Sequence, residues 1–316
     1  MLKKLVYLGC SFVMCVFSIH VTAQHTNFNT QKNWSLNKKE FLFAFGATQF
    51  TGDLGGRDRI GKDFSMVDID FPSTSINGLF GFRYRFHPFF TTVTTLQIGK
   101  LKGSDSLTNE VVRESRNLHF KSNVFELTQR LEMILYANEQ FGARYKIPGR
   151  KGHRNRDERL YVFSGVGVNY FNPKARYQGN WVPLDPLNTE GQGMEGGARE
   201  TLPVSLTIPF GIGFRMGVSR MWRFGIEASY IKTFTDYMDD VSTVYFDPGK
   251  LGSPSAQYLS NPANNNTNWF APGQQRGDKN KDAYYYLNFT IAKNLTYKSY
   301  GRLGGRGYSR RKKMFY

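Results

Sequence analysis

The chain has 316 residues, a formal net charge of +17, 16% aromatic residues and 32 glycines. Both cysteines, Cys10 and Cys15, lie in an apolar N-terminal stretch, so the rest of the chain excludes disulfides, zinc–thiolate sites and thiol nucleophiles. No later stretch is long and apolar enough for a membrane helix. This composition favours β-structure.

The N-terminus has the pattern of a secretory signal peptide. Lys3 and Lys4 precede an apolar segment, Leu5–Ile19, and a small-residue cleavage site, Val21–Ala23. We therefore expect residues 1–23 to be a signal peptide and residues 24–39 a short periplasmic arm. An exported chain seldom meets nucleic acid, so its positive charge favours acidic protein partners or anionic lipid surfaces over nucleic acid.

Period-2 alternation of apolar and polar residues dominates the remaining sequence. In Val204–Val218 it runs far beyond the usual length of a soluble strand, with bulky residues on one face and small or polar ones on the other. Seven further runs bring the predicted strands to eight: Glu40–Gln49, Ser75–Phe86, Thr91–Lys102, Asn123–Leu135, Arg159–Phe171, Arg223–Ile231 and Tyr284–Asn294. Such faces are typical of a membrane strand between lipid and a polar lumen.

The connections between these strands alternate in length. The long ones are 50–74, 103–117, 172–203 and 235–283, and the others are His87–Phe90, Ser219–Trp222 and a basic connection at 137–158. Long outer loops and short periplasmic turns are typical of outer-membrane barrels. We therefore predict one eight-stranded antiparallel barrel, residues 40–297, in the outer membrane of a Gram-negative bacterium. Pro209 cannot donate to a strand ladder and predicts a local bulge.

The inward faces of the predicted strands carry charged residues. An eight-stranded barrel has a lumen only wide enough for its own side chains. We expect these residues to form a hydrogen-bonded ion-pair plug: Arg83, Arg85, Glu126, Arg130, Glu132, Arg215 and Glu227. A conducting pore is the alternative, and the size of the lumen favours a scaffold over a channel.

Several stretches resemble PorG-like outer-membrane β-barrels of the type IX secretion machinery of certain Gram-negative bacteria. The most specific is TFTDYMDDVSTVYFDP, Thr233–Pro248. The others are Phe45–Gly56, Gly81–Phe90, Ser122–Leu135, Tyr161–Pro173, Leu184–Gly193 and Gln275–Phe289. The resemblance implies a non-enzymatic barrel, without a cofactor, that docks on a periplasmic ring. That ring consists of a lipoprotein and its partner protein and serves protein secretion or gliding motility.

The stretch TFTDYMDDVS sets three aspartates within five positions at the outer end of a strand. We predict a motif that orders the outer loops, comprising Gly52, Asp53, Asp236, Tyr237, Asp239, Asp240 and Asp247. A calcium ion bound by Asp236, Asp239, Asp240 and Asp247 is the alternative. The EF-hand spacing is absent, and we predict no metal. A barrel hydrolase is a further alternative, in which His119 would approach Ser122 or Asp240.

Two basic segments fall at the periplasmic end of the predicted topology. One lies in the connection at 137–158, and the other is the tail, 298–316, which lacks acidic residues and whose glycines and serines predict disorder when free. Positive charge gathered there would steer an acidic partner. We predict ring docking by Arg144, Lys146, Arg150, Lys151, Arg302, Arg306, Arg310, Arg311, Lys312 and Lys313. Contact with anionic lipid is the alternative for these residues, and a stand-alone porin-like or adhesion barrel is the alternative function.

Overall fold

The computed structural model describes residues 34–54, 71–107, 110–143, 154–219, 221–263, 268–278 and 280–296. Its strands are β1 Lys39–Thr51, β2 Ser75–Arg85, β3 Phe90–Ser104, β4 His119–Ala143, β5 Arg154–Tyr177, β6 Asn180–Pro183, β7 Val204–Gly217, β8 Trp222–Thr233 and β9 Ala283–Asn294. Two short α-helices, α1 Val111–Arg116 and α2 Pro254–Ser260, lie in the connections. Short 3-10 turns occur at Trp34–Asn37, Phe71–Ser73, Asp105–Leu107, Asp185–Leu187, Pro248–Lys250 and Asn268–Phe270. No helix of this described part is long and apolar enough to cross a membrane.

Eight of the strands form a closed antiparallel barrel, as predicted. Successive strands pair from β1 through β5, β5 pairs with β7, and β7, β8 and β9 continue the ring back to β1. Within the described ranges, strand β6 pairs only with the end of β5, at Lys174–Tyr177, and lies outside the ring. Closure leaves no free edge in the ring, so every barrel strand has a hydrogen-bonded neighbour on both sides.

Alternation along the strands puts apolar side chains on the outside and charged ones inside. On β4, Phe125, Leu127 and Leu131 are 45%, 57% and 47% exposed, whereas Glu126 and Arg130 between them are buried. The same alternation recurs on β2 and β7. An apolar exterior around a charged interior is the reverse of a soluble protein and is the arrangement of an outer-membrane barrel. The protein is built for the outer membrane.

The strands β4 and β5 extend beyond their predicted ends. The predicted basic connection at 137–158 is wrong in its bounds, because β4 continues to Ala143 and β5 begins at Arg154. The pairing of these strands shifts register between Ile134 and Tyr136, and again between Asn138 and Phe141. Such shifts break the period-2 pattern, which is the signal that a sequence-based prediction needs.

The bulge predicted at Pro209 is also wrong. Pro209 pairs with Ile231 of β8 in an unbroken register. On its other side, the pairs Ser164–Phe210 and Gly167–Thr207 keep the same offset, with no ladder pair between them. The missing N–H of proline therefore falls at a gap in the β5–β7 ladder, and no inserted residue is needed.

The interior of the barrel has two levels. The half nearer the short turns is charged, since Arg83 and Arg215 lie two residues before the ends of β2 and β7. The other half is filled by a core of aliphatic and aromatic side chains. Its members come from strands and loops alike: Phe50, Leu54, Leu101, Leu118, Phe120, Val124, Phe171, Ile231, Met238, Val241, Tyr284 and Tyr286. The long connections fold together over this end.

Candidate functional site in the lumen and the loop cap

Arg83 is the centre of the charged half of the lumen. It is 2% exposed, and its guanidinium reaches Glu40 at 3.2 Å, Glu132 at 2.8 Å and Glu227 at 3.2 Å. These carboxylates belong to β1, β4 and β8, so one side chain of β2 connects three other strands across the lumen. Burying ions is favourable only when each charge is paired and hydrogen-bonded, and Arg83 meets that condition.

Further ion pairs surround Arg83. Glu227 accepts hydrogen bonds from Arg130 at 2.8 Å and from the Tyr161 hydroxyl. Arg223 reaches both Glu40 and Asp157, and Asp157 also pairs with Arg159. We call the connected set the lumen cluster: Arg83, Arg130, Arg159, Arg215 and Arg223 with Glu40, Glu132, Asp157 and Glu227. Side chains of six strands thus cross the lumen at one level.

All seven residues predicted for the lumen are buried in the barrel, but two lie outside this cluster. Arg85 lies near the short turns, where it donates to the Pro88 carbonyl. Glu126 lies nearer the loops, where it accepts a hydrogen bond from the Tyr284 hydroxyl at 2.7 Å. Both are inward-facing, but their positions along the strands separate them from the cluster. Period-2 alternation gives the face of a residue and not its partners.

The sequence-based prediction missed four members of the cluster: Glu40, Asp157, Arg159 and Arg223. The signal for Glu40 was present, because Phe41 and Phe43 on either side of Leu42 are outward-facing and therefore place Glu40 inside. Arg223 precedes the outward-facing Phe224 in the same way. Asp157 lay in the segment predicted as a connection, so no face could be assigned to it.

The long connections form a compact layer that we call the loop cap, comprising the described parts of 52–74, 105–118, 178–203 and 234–282. Its centre is Glu190, which is 1% exposed. The Glu190 carboxylate accepts hydrogen bonds from the Ser242 N–H at 2.9 Å, the Thr243 hydroxyl at 2.7 Å and the Tyr237 hydroxyl at 3.2 Å. Arg276 completes the set with an ion pair to Glu190 at 2.9 Å.

The predicted motif residues contact three different loops. Asp240 has φ 65°, and its carboxylate accepts hydrogen bonds from Thr189 at 2.6 Å and Gln192 at 3.4 Å. Arg276 donates to the Asp240 carbonyl. Asp239 accepts from the Leu54 N–H at 3.0 Å and so joins the first loop to the fourth.

The remaining motif residues have local partners. Asp236 accepts from the Ser242 hydroxyl at 2.7 Å, and Asp247 accepts from the Gly249 N–H at 2.9 Å to cap a 3-10 turn. At Gly52, an added Cβ would lie 2.4 Å from an oxygen of Asp282, so the absence of a side chain makes room for that carboxylate.

Met238, in the middle of the motif, enters the mouth of the barrel. Its side chain is fully buried, 0% exposed, and belongs to the same core as Phe50 and Tyr284. The Asn169 amide lies 3.9 Å from its sulfur. The aspartates on either side of Met238 hold the loop by hydrogen bonds, and Met238 fills the space beneath it. No sequence signal distinguished this methionine from an ordinary loop residue.

Carboxylates gather on one side of the loop cap. Oxygens of Asp53, Asp236 and Asp278 lie within 4.8 Å of one another, a spacing at which carboxylates can hold a cation. This differs from the predicted alternative set, because Asp239 and Asp240 direct their oxygens to N–H and hydroxyl donors instead. Burial raises the pKa of Asp53 to about 7 and that of Asp236 to about 6. Neighbouring carboxylates add to both shifts.

Arg116 connects the second loop to this region. It ends α1 and forms an ion pair with Asp105 at 2.7 Å. It also donates to the main-chain carbonyls of Arg276 and Asp53. Burial alone would lower the pKa of Arg116, but the hydrogen bond and charge of Asp105 raise it above its usual value. The guanidinium therefore stays charged and joins three loops.

The residues predicted for the hydrolase alternative, His119, Ser122 and Asp240, each bind a partner outside this set. The Nε2 atom of His119 accepts a hydrogen bond from the Arg176 N–H at 2.9 Å. The Ser122 hydroxyl accepts one from the Asn172 N–H at 3.1 Å, and the Asp240 carboxylate is held by Thr189. The residues predicted for ring docking, in 144–151 and 302–313, lie outside the described part of the chain.

No family model matches the chain, and no curated protein is significantly similar to it. Among solved structures, Ail, the attachment invasion locus protein of Yersinia pestis, is 10% identical, with a TM-score of 0.33 over 81% of this chain and 98% of its own. The outer membrane protein OprG of Pseudomonas aeruginosa is 11% identical, with a TM-score of 0.36 over 81% and 96%. Neisserial surface protein A is 7% identical, with a TM-score of 0.33 over 81% and 96%. Likeness this low carries no argument about function, and the barrel assignment rests on the strand pairing.

Proposed function

We propose that the protein is a non-enzymatic, non-conducting anchor in the outer membrane. The observation that carries this proposal is the double obstruction of the lumen. The ion pairs centred on Arg83 cross it at one level, and the core that includes Met238 fills it at the other. A barrel of eight strands leaves little free space beyond its own side chains. Its use is then positional: it holds loops on one side of the membrane and turns and termini on the other.

More specifically, we propose a component of the type IX secretion and gliding apparatus that docks the periplasmic ring to the outer membrane. The support is the resemblance of Thr233–Pro248 to PorG-like barrels, together with the finding that this stretch contributes Tyr237, Met238 and Asp240 to the loop cap. The basic residues of 144–151 and 302–313 would provide the contact with an acidic face of the ring.

A stand-alone adhesion barrel is the second candidate. The observation that favours it is the order of the loop cap, whose hydrogen bonds join three loops into one outward surface. Fixed loops lose less conformational entropy when they bind a partner than free loops do. In this alternative the partner lies outside the cell, and the periplasmic segments carry no function.

Affinity purification from gently solubilised outer membranes separates the two candidates. The full chain is compared with a chain ending at Ser299 and with a variant in which Arg144, Lys146, Arg150 and Lys151 are changed to glutamine. A matched control changes two lysines of the loop cap, Lys250 and Lys281, to glutamine. We expect the ring lipoprotein and its partner to co-purify with the full chain and the control, and to be lost with the truncated or neutralised chain. Loss from all four chains, with the ring itself intact, would contradict docking and favour the stand-alone barrel.

A further inference from the structure

Among the residues that the structure describes, the ion pairs of the lumen contain more arginines than carboxylates. In the lumen cluster, five arginines face four carboxylates. A buried charge without a hydrogen-bonded counter-ion is strongly destabilising, because desolvation is not repaid by pairing. A charge of this kind requires an explanation.

The excess is located at Arg215. Its side chain is 2% exposed, and none of its three guanidinium nitrogens has a hydrogen-bond acceptor among the described residues. The closest carboxylate oxygens, of Glu40 and Glu132, lie 3.5 and 3.7 Å away, beyond hydrogen-bond distance. The same two carboxylates already lie 3.2 and 2.8 Å from Arg83, which holds them away from Arg215.

A neighbouring arginine adds electrostatic repulsion at Arg215. Arg159 is its direct partner across the β5–β7 ladder, so two inward-facing arginines stand opposite each other. Like charges at opposed positions of an antiparallel pair repel. The Tyr161 ring lies 5.0 Å from the Arg215 guanidinium carbon and offers a cation–π contact, which leaves the N–H donors unused.

We propose that the lumen binds one small monovalent anion, chloride in the cell, at the guanidinium of Arg215 beside Arg159. One such ion compensates the charge of the Arg215 guanidinium and accepts hydrogen bonds from its N–H groups, for which the described residues provide no acceptor. A larger or polyvalent anion would fit the crowded lumen poorly and would overcompensate the single excess charge. This inference concerns the barrel itself and does not depend on the docking function proposed above.

The test measures urea-induced unfolding of the full chain in lipid vesicles. The unfolding is compared between two buffers of equal ionic strength, one with sodium chloride and one with sodium gluconate. An anion that binds only the folded state multiplies the folding equilibrium constant by one plus the ratio of its concentration to its dissociation constant. When the anion concentration is ten times the dissociation constant, the folding equilibrium constant therefore rises about 11-fold. We expect this shift for chloride and bromide and not for gluconate, which is too large to enter.

Two variants and one direct measurement complete the test. R215M leaves four arginines facing four carboxylates, so its stability should be the same in chloride and gluconate, whereas R215K keeps the charge and should keep the dependence. Because R215M could fail to fold, crystals of the unaltered protein grown in bromide should also show one anomalous peak beside Arg215. Equal stability of the unaltered protein in both salts, or a bromide map with no peak there, would overturn the proposal and leave water as the partner of Arg215.

Discussion

Glu190 is the residue whose change should test the loop cap most directly. In Glu190→Gln the shape of the side chain is kept, but its charge opposite Arg276 is lost, and an amide N–H₂ replaces one acceptor oxygen. Both oxygens face donors: the Ser242 N–H donates to Oε1, and the hydroxyls of Thr243 and Tyr237 donate to Oε2. The change therefore breaks an ion pair at 2.9 Å and leaves the Arg276 guanidinium buried with reduced compensation.

The size of the effect follows from the burial of both partners. Glu190 and Arg276 are 1% and 3% exposed, so solvent screens the pair little. Removing one partner of a buried pair costs about 3–5 kcal/mol, and each 1.4 kcal/mol is about tenfold in an equilibrium constant. The free energy of opening the loop cap should fall by that amount, and local opening should become roughly 100- to 4000-fold more frequent.

Hydrogen-exchange mass spectrometry of the full chain in vesicles measures this opening. We expect faster exchange at the amides of 188–193 and 237–246, while those of β2 and β3 remain protected. Glu195→Gln, on an exposed residue of the same loop, is the matched control and should change neither region. An unchanged rate at 237–246 in Glu190→Gln would refute the assignment of Glu190 as the centre of the cap. Faster exchange in the barrel strands as well would show that cap and barrel do not open independently.

Three other predictions concern the cap, the lipid face and the lumen. The pKa values of Asp53 and Asp240 are both raised to about 7, so between about pH 4 and 7 these carboxyls hold protons in the folded state that they have released in the unfolded chain. The loop cap should therefore lose stability as the pH rises from about 4 to 7, and proteolysis of its loops measures that loss. Leu127→Arg places a charge on the lipid face near the middle of β4, 57% exposed, and should cost about 2–4 kcal/mol in vesicle-based unfolding, whereas the same change at exposed loop residue Leu202 should cost little. Gly213→Ala would put a Cβ 2.4 Å from the Tyr161 ring and should destabilise the barrel by about 1–3 kcal/mol, with the open-surface Gly252→Ala as its control.

The barrel could be predicted from the sequence because its determinants are local. Whether a residue of β7 is inward- or outward-facing depends on its position along the strand, and the alternation from Val204 to Val218 gives that position directly. The prediction failed where the alternation stops, at the register shifts of β4 beyond Ile134 and at Asp157 on β5. It also failed at Pro209, because the gap that accommodates a proline is a property of the neighbouring strand.

The loop cap could be predicted only in part. The aspartates of Thr233–Ser242 were predicted to order the loops, and the structure places them in contact with Leu54 and Thr189 of other loops. Their central partner, Glu190, lies more than forty positions away from them along the chain. A contact between two irregular segments has no periodicity, so neither composition nor spacing could pair Glu190 with Arg276.

The two polar assemblies carry opposite imbalances, and this difference determines how each should respond to its surroundings. The lumen cluster has an excess of arginine, whose charge cannot be removed by changing the pH within the physiological range. With the proposed anion as its compensation, the stability of the barrel should depend on the salt. The loop cap has an excess of carboxylate, in which burial raises the pKa of Asp239 and Asp282 well above the usual value, and nearby carboxylates raise it further. Protons can neutralise that excess, so the cap should respond to pH, while the barrel beneath it should respond to the identity of the anion.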